Sequence, residues 1–306
     1  MRKTPRLAAI GALAALTVTL TACGAAEQPT APPSELASVA ATAGNVPADR
    51  DGSGPRAIGL TADGALVGFD TANPGASDEI GSVTGLKGDT SLVGIDYRVQ
   101  DGKLYGVGDK GGIYTIDDAN GAATKVRQLT VALKGKSFGV DFNPAANALR
   151  IISDTGQNLR QPFATADAET AVDKALTNPA APPATGTVPA SGVTAAGYTN
   201  NDLDDTTATT LFDLNSTADR LAVQSPANGG TLAPAGKLPV DAGVDAGFDV
   251  YSTLDAAGRT VDNDAFAAVT VGSAQRLLAV DLLTGEATDL GQFNAEVTDI
   301  AVQLQQ

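Results

Sequence analysis

Three aspartates occupy the same place in a short repeated signature, Gly-apolar-Asp, and their carboxylates could do chemistry. The signature occurs at 94–96, 139–141 and 247–249, so the carboxylates belong to Asp96, Asp141 and Asp249. If the strands that carry them line one channel, these groups could bind a cation or act in acid–base catalysis. The alternative is structural, with each carboxylate accepting a backbone N–H where two repeat units meet. The regular repetition favours the structural interpretation.

The chain contains no histidine and a single cysteine. The absence of histidine excludes Ser-His-Asp and Cys-His catalytic arrangements, and it excludes zinc sites built on imidazole. A bound metal would therefore be a hard cation with oxygen ligands, and calcium is the obvious choice. No loop has the ligand spacing of an EF-hand, so we predict no metal ligands and no cofactor other than that candidate calcium.

A second group of candidates carries amides, a phenol and a guanidinium near predicted turns. In the segment GQNLR at 156–160, a guanidinium beside an amide could bind a carboxylate or sugar hydroxyls. Asparagine beside glycine is also ordinary turn chemistry, which is the alternative interpretation. The predicted ligand-binding residues, which could share a rim of loops, are Asn158, Arg160, Tyr198, Asn200 and Asn228.

The single cysteine, Cys23, ends a segment with the features of an export signal. Basic residues near the start are followed by an apolar run over 7–20 and by the sequence LTAC at 20–23. This order resembles the lipobox of bacterial lipoproteins, which implies cleavage before Cys23 and lipid on its sulfur. Residues 1–22 are therefore predicted to be a lipoprotein signal peptide. A plain cleaved signal is the alternative, whereas the apolar run is too short to span a bilayer.

Residues 23–55 are predicted to form the lipidated cysteine and a flexible tether. This segment is rich in Ala, Pro, Ser and Gly and has almost no large apolar residue, so burial of its side chains cannot offset the entropy lost on ordering.

The whole chain has a net charge of −15, which makes nucleic acid an unsuitable partner. We predict an extracytoplasmic protein that is anchored to the cell membrane through lipid on Cys23.

From residue 56 onward, short segments rich in β-branched and aromatic residues are separated by Gly, Asn, Asp and Pro, as in successive strands. The segment 168–176 is ambiguous between helix and strand, and its place in the repeat favours a strand. Units of about four strands begin near residues 92, 137, 193, 246 and 297, at intervals of roughly 50 residues. The last unit holds one strand, and residues 57–83 hold three.

This pattern predicts an all-β domain over 56–306, a β-propeller of about five four-stranded blades. The C-terminal strand is predicted to pair in the first blade and to close the ring, which removes exposed sheet edges. Six blades are the alternative, because a conventional blade takes roughly 40 to 45 residues.

Several segments of this domain are similar to those of a known family of exported bacterial proteins. They include GVDFNP at 139–144, GQNLR at 156–160, GYTN at 197–200 and QSPANG at 224–229. The similarity extends from residue 57 to about 302, and it resembles the family called domain of unknown function 4394. The resemblance implies a β-propeller, and it leaves the function open because the family has no established activity.

Two functional hypotheses follow. The first is a membrane-anchored envelope lipoprotein, monomeric and non-catalytic, whose propeller rim loops bind an envelope small molecule, glycan or protein. The second is a histidine-free hydrolase or lactonase-like enzyme that uses channel carboxylates and calcium. We prefer the first, because propellers serve many functions and the sequence contains no catalytic constellation.

Overall fold

The computed structural model describes residues 53–204 and 206–305, so the predicted signal peptide, Cys23 and the tether up to residue 52 lie outside the described residues. No helix in the described part of the chain is long and apolar enough to cross a membrane. Apart from one 3-10 turn at Ala227–Gly229, the regular elements there are strands. In chain order they are β1 (Arg56–Thr61), β2 (Ala65–Asp70), β3 (Asn73–Ser82), β4 (Leu92–Arg98), β5 (Lys103–Gly108), β6 (Gly112–Ile116), β7 (Ala123–Gln128), β8 (Phe138–Asn143), β9 (Ala148–Ser153), β10 (Asn158–Pro162), β11 (Ala171–Val172), β12 (Thr177–Pro179), β13 (Thr187–Pro189), β14 (Val193–Tyr198), β15 (Leu211–Asn215), β16 (Arg220–Gln224), β17 (Leu232–Lys237), β18 (Gly247–Leu254), β19 (Thr260–Val271), β20 (Ala274–Val280), β21 (Ala287–Gln292) and β22 (Val297–Val302).

The strands form five four-stranded sheets, which are the blades of a propeller. Blade 1 has the strand order β22-β1-β2-β3, blade 2 is β4 to β7, blade 3 is β8 to β11, blade 4 is β14 to β17 and blade 5 is β18 to β21. The first strand of each blade, β22, β4, β8, β14 and β18, is its inner strand, and each contacts the next in a closed cycle. The prediction of a five-bladed propeller is confirmed. A small β12-β13 hairpin lies between blades 3 and 4 in the chain.

The ring is closed by strands from the two ends of the domain. Strand β22 pairs antiparallel with β1, with Ala57 opposite Val302 and Gly59 opposite Ile300. The predicted closure by the C-terminal strand is therefore confirmed. Because the first blade takes its inner strand from the far end of the chain, this blade is complete with four strands and joins the two ends of the domain.

Burial explains why the middle strands and the outer strands of a blade have different sequences. Strand β9 in the middle of blade 3 is buried at every position, as expected for a strand with a blade on each side. Outer strand β7 is buried only at its first residue and then alternates between exposed and partly exposed residues, because it lies at the rim of the blade. The ambiguous segment 168–176 contributes only the two-residue strand β11.

The core consists of apolar clusters between neighbouring blades. Phe69 of blade 1 packs with Phe266 of blade 5, and Tyr105 of blade 2 packs with Phe142 of blade 3 at a ring-centroid distance of 5.1 Å. Such clusters replace the single central core of a sandwich, and they hold the blades face to face.

The glycines of the repeated signature allow the inner strands to approach closely. A Cβ atom added at Gly139 would lie 2.6 Å from the backbone nitrogen of Ala196 in the next inner strand. At Gly247, the same atom would lie 2.6 Å from Cα of Asp299. A side chain at either position would push two blades apart, which is why the signature begins with glycine.

The inner strands define two faces of the propeller. We call the face at which they begin the upper face and the face at which they end the lower face. Residue Val302 ends its inner strand beside Ala57, and the N–H of Gln303 donates to the carbonyl of Arg56 at 2.8 Å. The N-terminal connection of the domain therefore leaves from the lower face.

Candidate ligand-binding pocket

The inner strands bring the three repeated aspartates together inside the propeller. One carboxylate oxygen from each of Asp96, Asp141 and Asp249 lies within 4.8 Å of the others. A fourth carboxylate, Asp299 of β22, acts on the same aspartates electrostatically. All four residues, called the ring aspartates below, are at most 6% exposed. Asp299 was not among the predicted site residues, although the repeat unit that begins near residue 297 has an aspartate in its segment VTDI at 297–300.

Each ring aspartate accepts a backbone N–H from the next inner strand. Asp299 accepts from Ile95 at 2.8 Å and Asp96 from Phe142 at 2.6 Å. The remaining two bonds run to Asp141 from Tyr198 at 3.0 Å and to Asp249 from Val302 at 2.6 Å. These four bonds therefore connect four of the five blade junctions.

The junction between blades 4 and 5 is built differently. Blade 4 carries Thr199 where the signature has aspartate, and the hydroxyl of Thr199 accepts from Thr210 within its own blade. The link to blade 5 is made by asparagines instead. The N–H of Asn200 donates to Asn263 at 2.9 Å, and the side-chain amide of Asn201 donates to the carbonyl of Val250 at 2.8 Å. Asn200, a predicted ligand-binding residue, is thus placed at a blade junction.

Burial controls the charge of the ring aspartates. It raises the pKa of Asp96 and of Asp141 well above the ordinary value, and repulsion from the other ring carboxylates raises it further. Burial also raises the pKa of Asp299, and it raises the pKa of Asp249 to about 6. Burial and mutual repulsion therefore favour the neutral, protonated form of these carboxyls more than in an exposed aspartate. The candidate calcium at this cluster stays a prediction.

Most of the other predicted ligand-binding residues surround one buried arginine, Arg150 of β9, which is 2% exposed. Its guanidinium donates to Asn158, Asp173 and Asn228, each at 2.7 Å, and to the hydroxyl of Tyr198 at 3.3 Å. The network connects blades 3 and 4 and fixes the segment that follows β16. Asn158 and Tyr198 are buried at this interface.

Arg160 lies at the outer side of the same network. Its guanidinium donates to Asp173 at 3.1 Å, and its side chain is 30% exposed. Of the four candidates gathered here, Asn228 is exposed and Arg160 is partly exposed, whereas Asn158 and Tyr198 are buried. The ligand-binding role of this group stays a prediction. Sequence reasoning missed Arg150 and Asp173.

A fully buried aspartate, Asp213 of β15, lies close enough to Arg150 for an electrostatic interaction. Neither of its carboxylate oxygens has a hydrogen-bond partner in the described structure. Burial raises the pKa of Asp213 well above its ordinary value, and Arg150 opposes that shift. This group is therefore held neutral over a wider pH range than an exposed aspartate.

A cavity with a volume of about 470 Å³ lies on the upper face at the centre of the propeller. All five blades contribute to it at or near the start of their inner strands, through Leu92, Phe138, Thr194, Ala246 and Thr298. We call this cavity the upper pocket. The ring aspartates are not among its described lining residues.

Hydroxyl groups and charges dominate the polar lining of the upper pocket. The charged residues are Asp63, Lys136 and Asp245. Thr61 donates a hydrogen bond to Asp63 and lowers the pKa of that carboxyl, so it is ionised at neutral pH. The hydroxyl residues are Thr61, Ser82, Thr90, Ser91, Ser137, Thr194 and Thr298.

A second large cavity, of about 520 Å³, opens on the lower face. It is lined by residues that follow the inner strands of blades 1, 2, 4 and 5, including Val99, Leu203 and Leu304. Blade 3 contributes no described residue to its lining. The lower cavity is on the same face as the N-terminal connection, whereas the upper pocket is on the opposite face.

Three solved structures align with the chain at low sequence identity. A structural genomics protein of unknown function from Bacteroides thetaiotaomicron has 12% identity and a TM-score of 0.42, over 81% of this chain and 64% of that chain. PorZ, a surface component of the type-IX secretion system of Porphyromonas gingivalis, has 16% identity and a TM-score of 0.38, over 79% and 27%. An auxiliary nutrient binding protein from Bacteroides ovatus has 12% identity and a TM-score of 0.38, over 74% and 56%. The chain thus spans less than two thirds of the length of each of these proteins.

A search of curated proteins found no significant match to the chain. A family model does match, and it covers residues 65–301. This range includes four inner strands, all of β22 except Val302, and most of the residues that line the upper pocket. The chain therefore belongs to the family called domain of unknown function 4394 (DUF4394).

Proposed function

We propose that this protein is an envelope lipoprotein whose propeller binds a small polar molecule in the upper pocket. The observation that carries this proposal is a cavity of about 470 Å³ where all five blades meet. Cavities of roughly 300–1,000 Å³ with a few convergent polar groups are typical of small-molecule sites. The proposed site lies at the mouth of the ring, among the loops that lead into the inner strands.

The lining of the pocket supports a polar ligand. The hydroxyls of Ser82, Ser91 and Ser137 make no hydrogen bond to other described residues, so they are free to donate to and accept from a ligand. The hydroxyl of Thr194 is instead held by Ser216 at 3.0 Å. A ligand rich in hydroxyl, amide or charged groups would match this lining better than an apolar ligand.

The place where the tether joins the domain leaves the upper pocket accessible. A lipid on Cys23 would reach the domain through the connection before Ser53, and that connection enters blade 1 at the lower face. The predicted flexible tether would let the domain turn relative to the membrane. Because the connection enters on the opposite face, it would not cover the mouth of the upper pocket.

The alternative hypothesis of a hydrolase needs a channel carboxylate that reaches the bound substrate. Each ring aspartate is buried and accepts a backbone N–H, and the pocket is lined by other residues. Binding without catalysis is therefore the function that we propose.

Replacing Cys23 with serine is expected to release the protein from the membrane fraction, because serine does not replace the thiol in lipid attachment. The measurement is membrane pelleting and detergent-phase partition of the full chain. The tether variant Ser38→Ala serves as the control and should stay with the membrane. Membrane retention of Cys23→Ser equal to that of the control would contradict the predicted anchor.

Replacing Ser91 with tryptophan is expected to abolish ligand binding, because Ser91 is exposed inside the upper pocket and the indole would fill it. Binding is measured by saturation-transfer NMR on the full chain, with pools of sugars, amino acids and short peptides. The control, Thr124→Trp, places the same side chain on outer strand β7, away from the pocket. If no pool binds the unaltered chain, or if both variants bind equally well, the proposed site is wrong.

A further inference from the structure

The three charged residues of the upper pocket come from three different blades. Asp63 lies in the turn between β1 and β2 of blade 1, and Asp245 lies just before β18 of blade 5. Lys136 lies just before β8 of blade 3. The lining of the pocket therefore includes two carboxylates and one ammonium, each from a loop of a different blade.

The order of the blades places these charges on opposite sides of the pocket. The inner strands contact one another in the cycle β22, β4, β8, β14, β18 and back to β22, so blades 5 and 1 are neighbours. In a ring of five, the blade that faces the junction of blades 5 and 1 is blade 3. Lys136 thus lies across the ring from the side that carries Asp63 and Asp245.

The loops that carry two of the charges are fixed by hydrogen bonds. The N–H of Lys136 donates to the carboxylate of Asp154 at 2.9 Å, and Asp154 also donates its N–H to the carbonyl of Ser137 at 3.0 Å. Asp63 is held by the hydroxyl of Thr61 at the end of β1. The opposite charges are therefore presented by anchored turns.

None of the three charges is neutralised by another described residue. The ion pairs of the described structure do not include Asp63, Lys136 or Asp245. A neutral sugar would leave all three charged groups without a counter-charge. A ligand that carries only positive charge would be repelled by the ammonium of Lys136. A ligand with an ammonium at one end and a carboxylate at the other would supply a counter-charge to both sides of the pocket.

We infer that the upper pocket binds a zwitterionic molecule of the size of an amino acid or short peptide, with its ammonium toward Asp63 and Asp245 and its carboxylate toward Lys136. This inference rests on the proposed function, because it specifies the ligand of the same pocket. Charge-assisted hydrogen bonds at both ends would fix the orientation of the ligand. The pocket, at about 470 Å³, has room for a molecule of this size.

The test uses the full chain and a mixture of the twenty amino acids with glycylglycine, followed by calorimetric titration of the compounds that bind. For each bound compound, the methyl ester removes the carboxylate charge and the N-acetyl derivative removes the ammonium. Each derivative is expected to bind roughly tenfold more weakly or worse than the zwitterion. Lys136→Met is expected to cause a similar loss for the zwitterion and to leave the affinity for the ester unchanged.

The control is Lys134→Met, which removes an equally exposed lysine two residues away that does not line the pocket. It should bind the zwitterion as the unaltered chain does. Binding of neutral sugars alone, or equal affinity for zwitterion and ester, would overturn this inference and leave the proposed function standing. Failure of every compound class, sugars included, would count against both.

Discussion

Replacing Arg150 with methionine is expected to lower the free energy of unfolding by about 3–5 kcal/mol, the usual cost of removing one partner from a buried charged network. The guanidinium is 2% exposed and donates hydrogen bonds to Asn158, Asp173, Asn228 and Tyr198. Methionine cannot donate a hydrogen bond, so the buried groups of Asn158, Asp173 and Tyr198 would each lose a partner.

The measurement is urea unfolding of the full chain followed by circular dichroism, which suits a chain that contains no tryptophan. Arg160→Met is the matched control, because Arg160 pairs with the same Asp173 from a side chain that is 30% exposed. Its expected cost is under about 1 kcal/mol. Equal losses in the two variants would show that the burial of Arg150 adds nothing.

The second large effect is a loss of stability as the pH rises. The pKa values of the four ring aspartates and of Asp213 are raised in the folded protein, chiefly by burial. The folded state then binds protons more tightly than the unfolded chain, whose aspartates titrate near pH 4. The free energy of unfolding must fall as the pH rises from about 4 through the raised pKa values.

For Asp249, whose pKa is raised to about 6, the fall is nearly complete about one pH unit above that value. Its contribution is on the order of 3 kcal/mol. The measurement is the free energy of unfolding from urea titrations between pH 4.5 and 7.5. Asp249→Asn should flatten the slope over this range, whereas Asp167→Asn, at an exposed position, should leave it unchanged. Stability that rises with pH over this range would contradict the account.

The fold could be predicted because its signals are local and repeated. The Gly-apolar-Asp signature marks inner strands, its glycines allow close approach at Gly139 and Gly247, and its aspartates accept N–H groups from the next blade. One strand at the C-terminus and three at the start of the domain were enough to predict the closure that β22 and β1 make.

The buried network around Arg150 could not be predicted in the same way. An arginine within a strand is ordinarily expected at the surface, and the sequence around Arg150 contains nothing that contradicts this expectation. Its partners Asp173 and Asn228 lie 23 and 78 positions away in the chain. Asn158 and Arg160 were chosen for their chemistry, but their proximity to Arg150 depends on how blades 3 and 4 pack.

The upper pocket also could not be predicted from the sequence. Its lining comes from short connections such as those around Asp63, Lys136 and Asp245, where serines, threonines and single charges have no periodicity. Only the closure of the ring places the lysine of blade 3 opposite the aspartates of blades 1 and 5. Sequence reasoning expected binding at rim loops, but it selected residues that lie at blade junctions.

The central claim is that the upper pocket binds a small polar ligand, and mapping the bound ligand by amide chemical shifts tests it most directly. The full chain, labelled with ¹⁵N, would be titrated with the compound that binds most tightly in the pooled screen. The account predicts shift changes concentrated at Ser91, Ser137, Thr194, Asp245 and Thr298, from all five blades. Changes concentrated instead at Leu203, Arg259 and Leu304 of the lower cavity would contradict it.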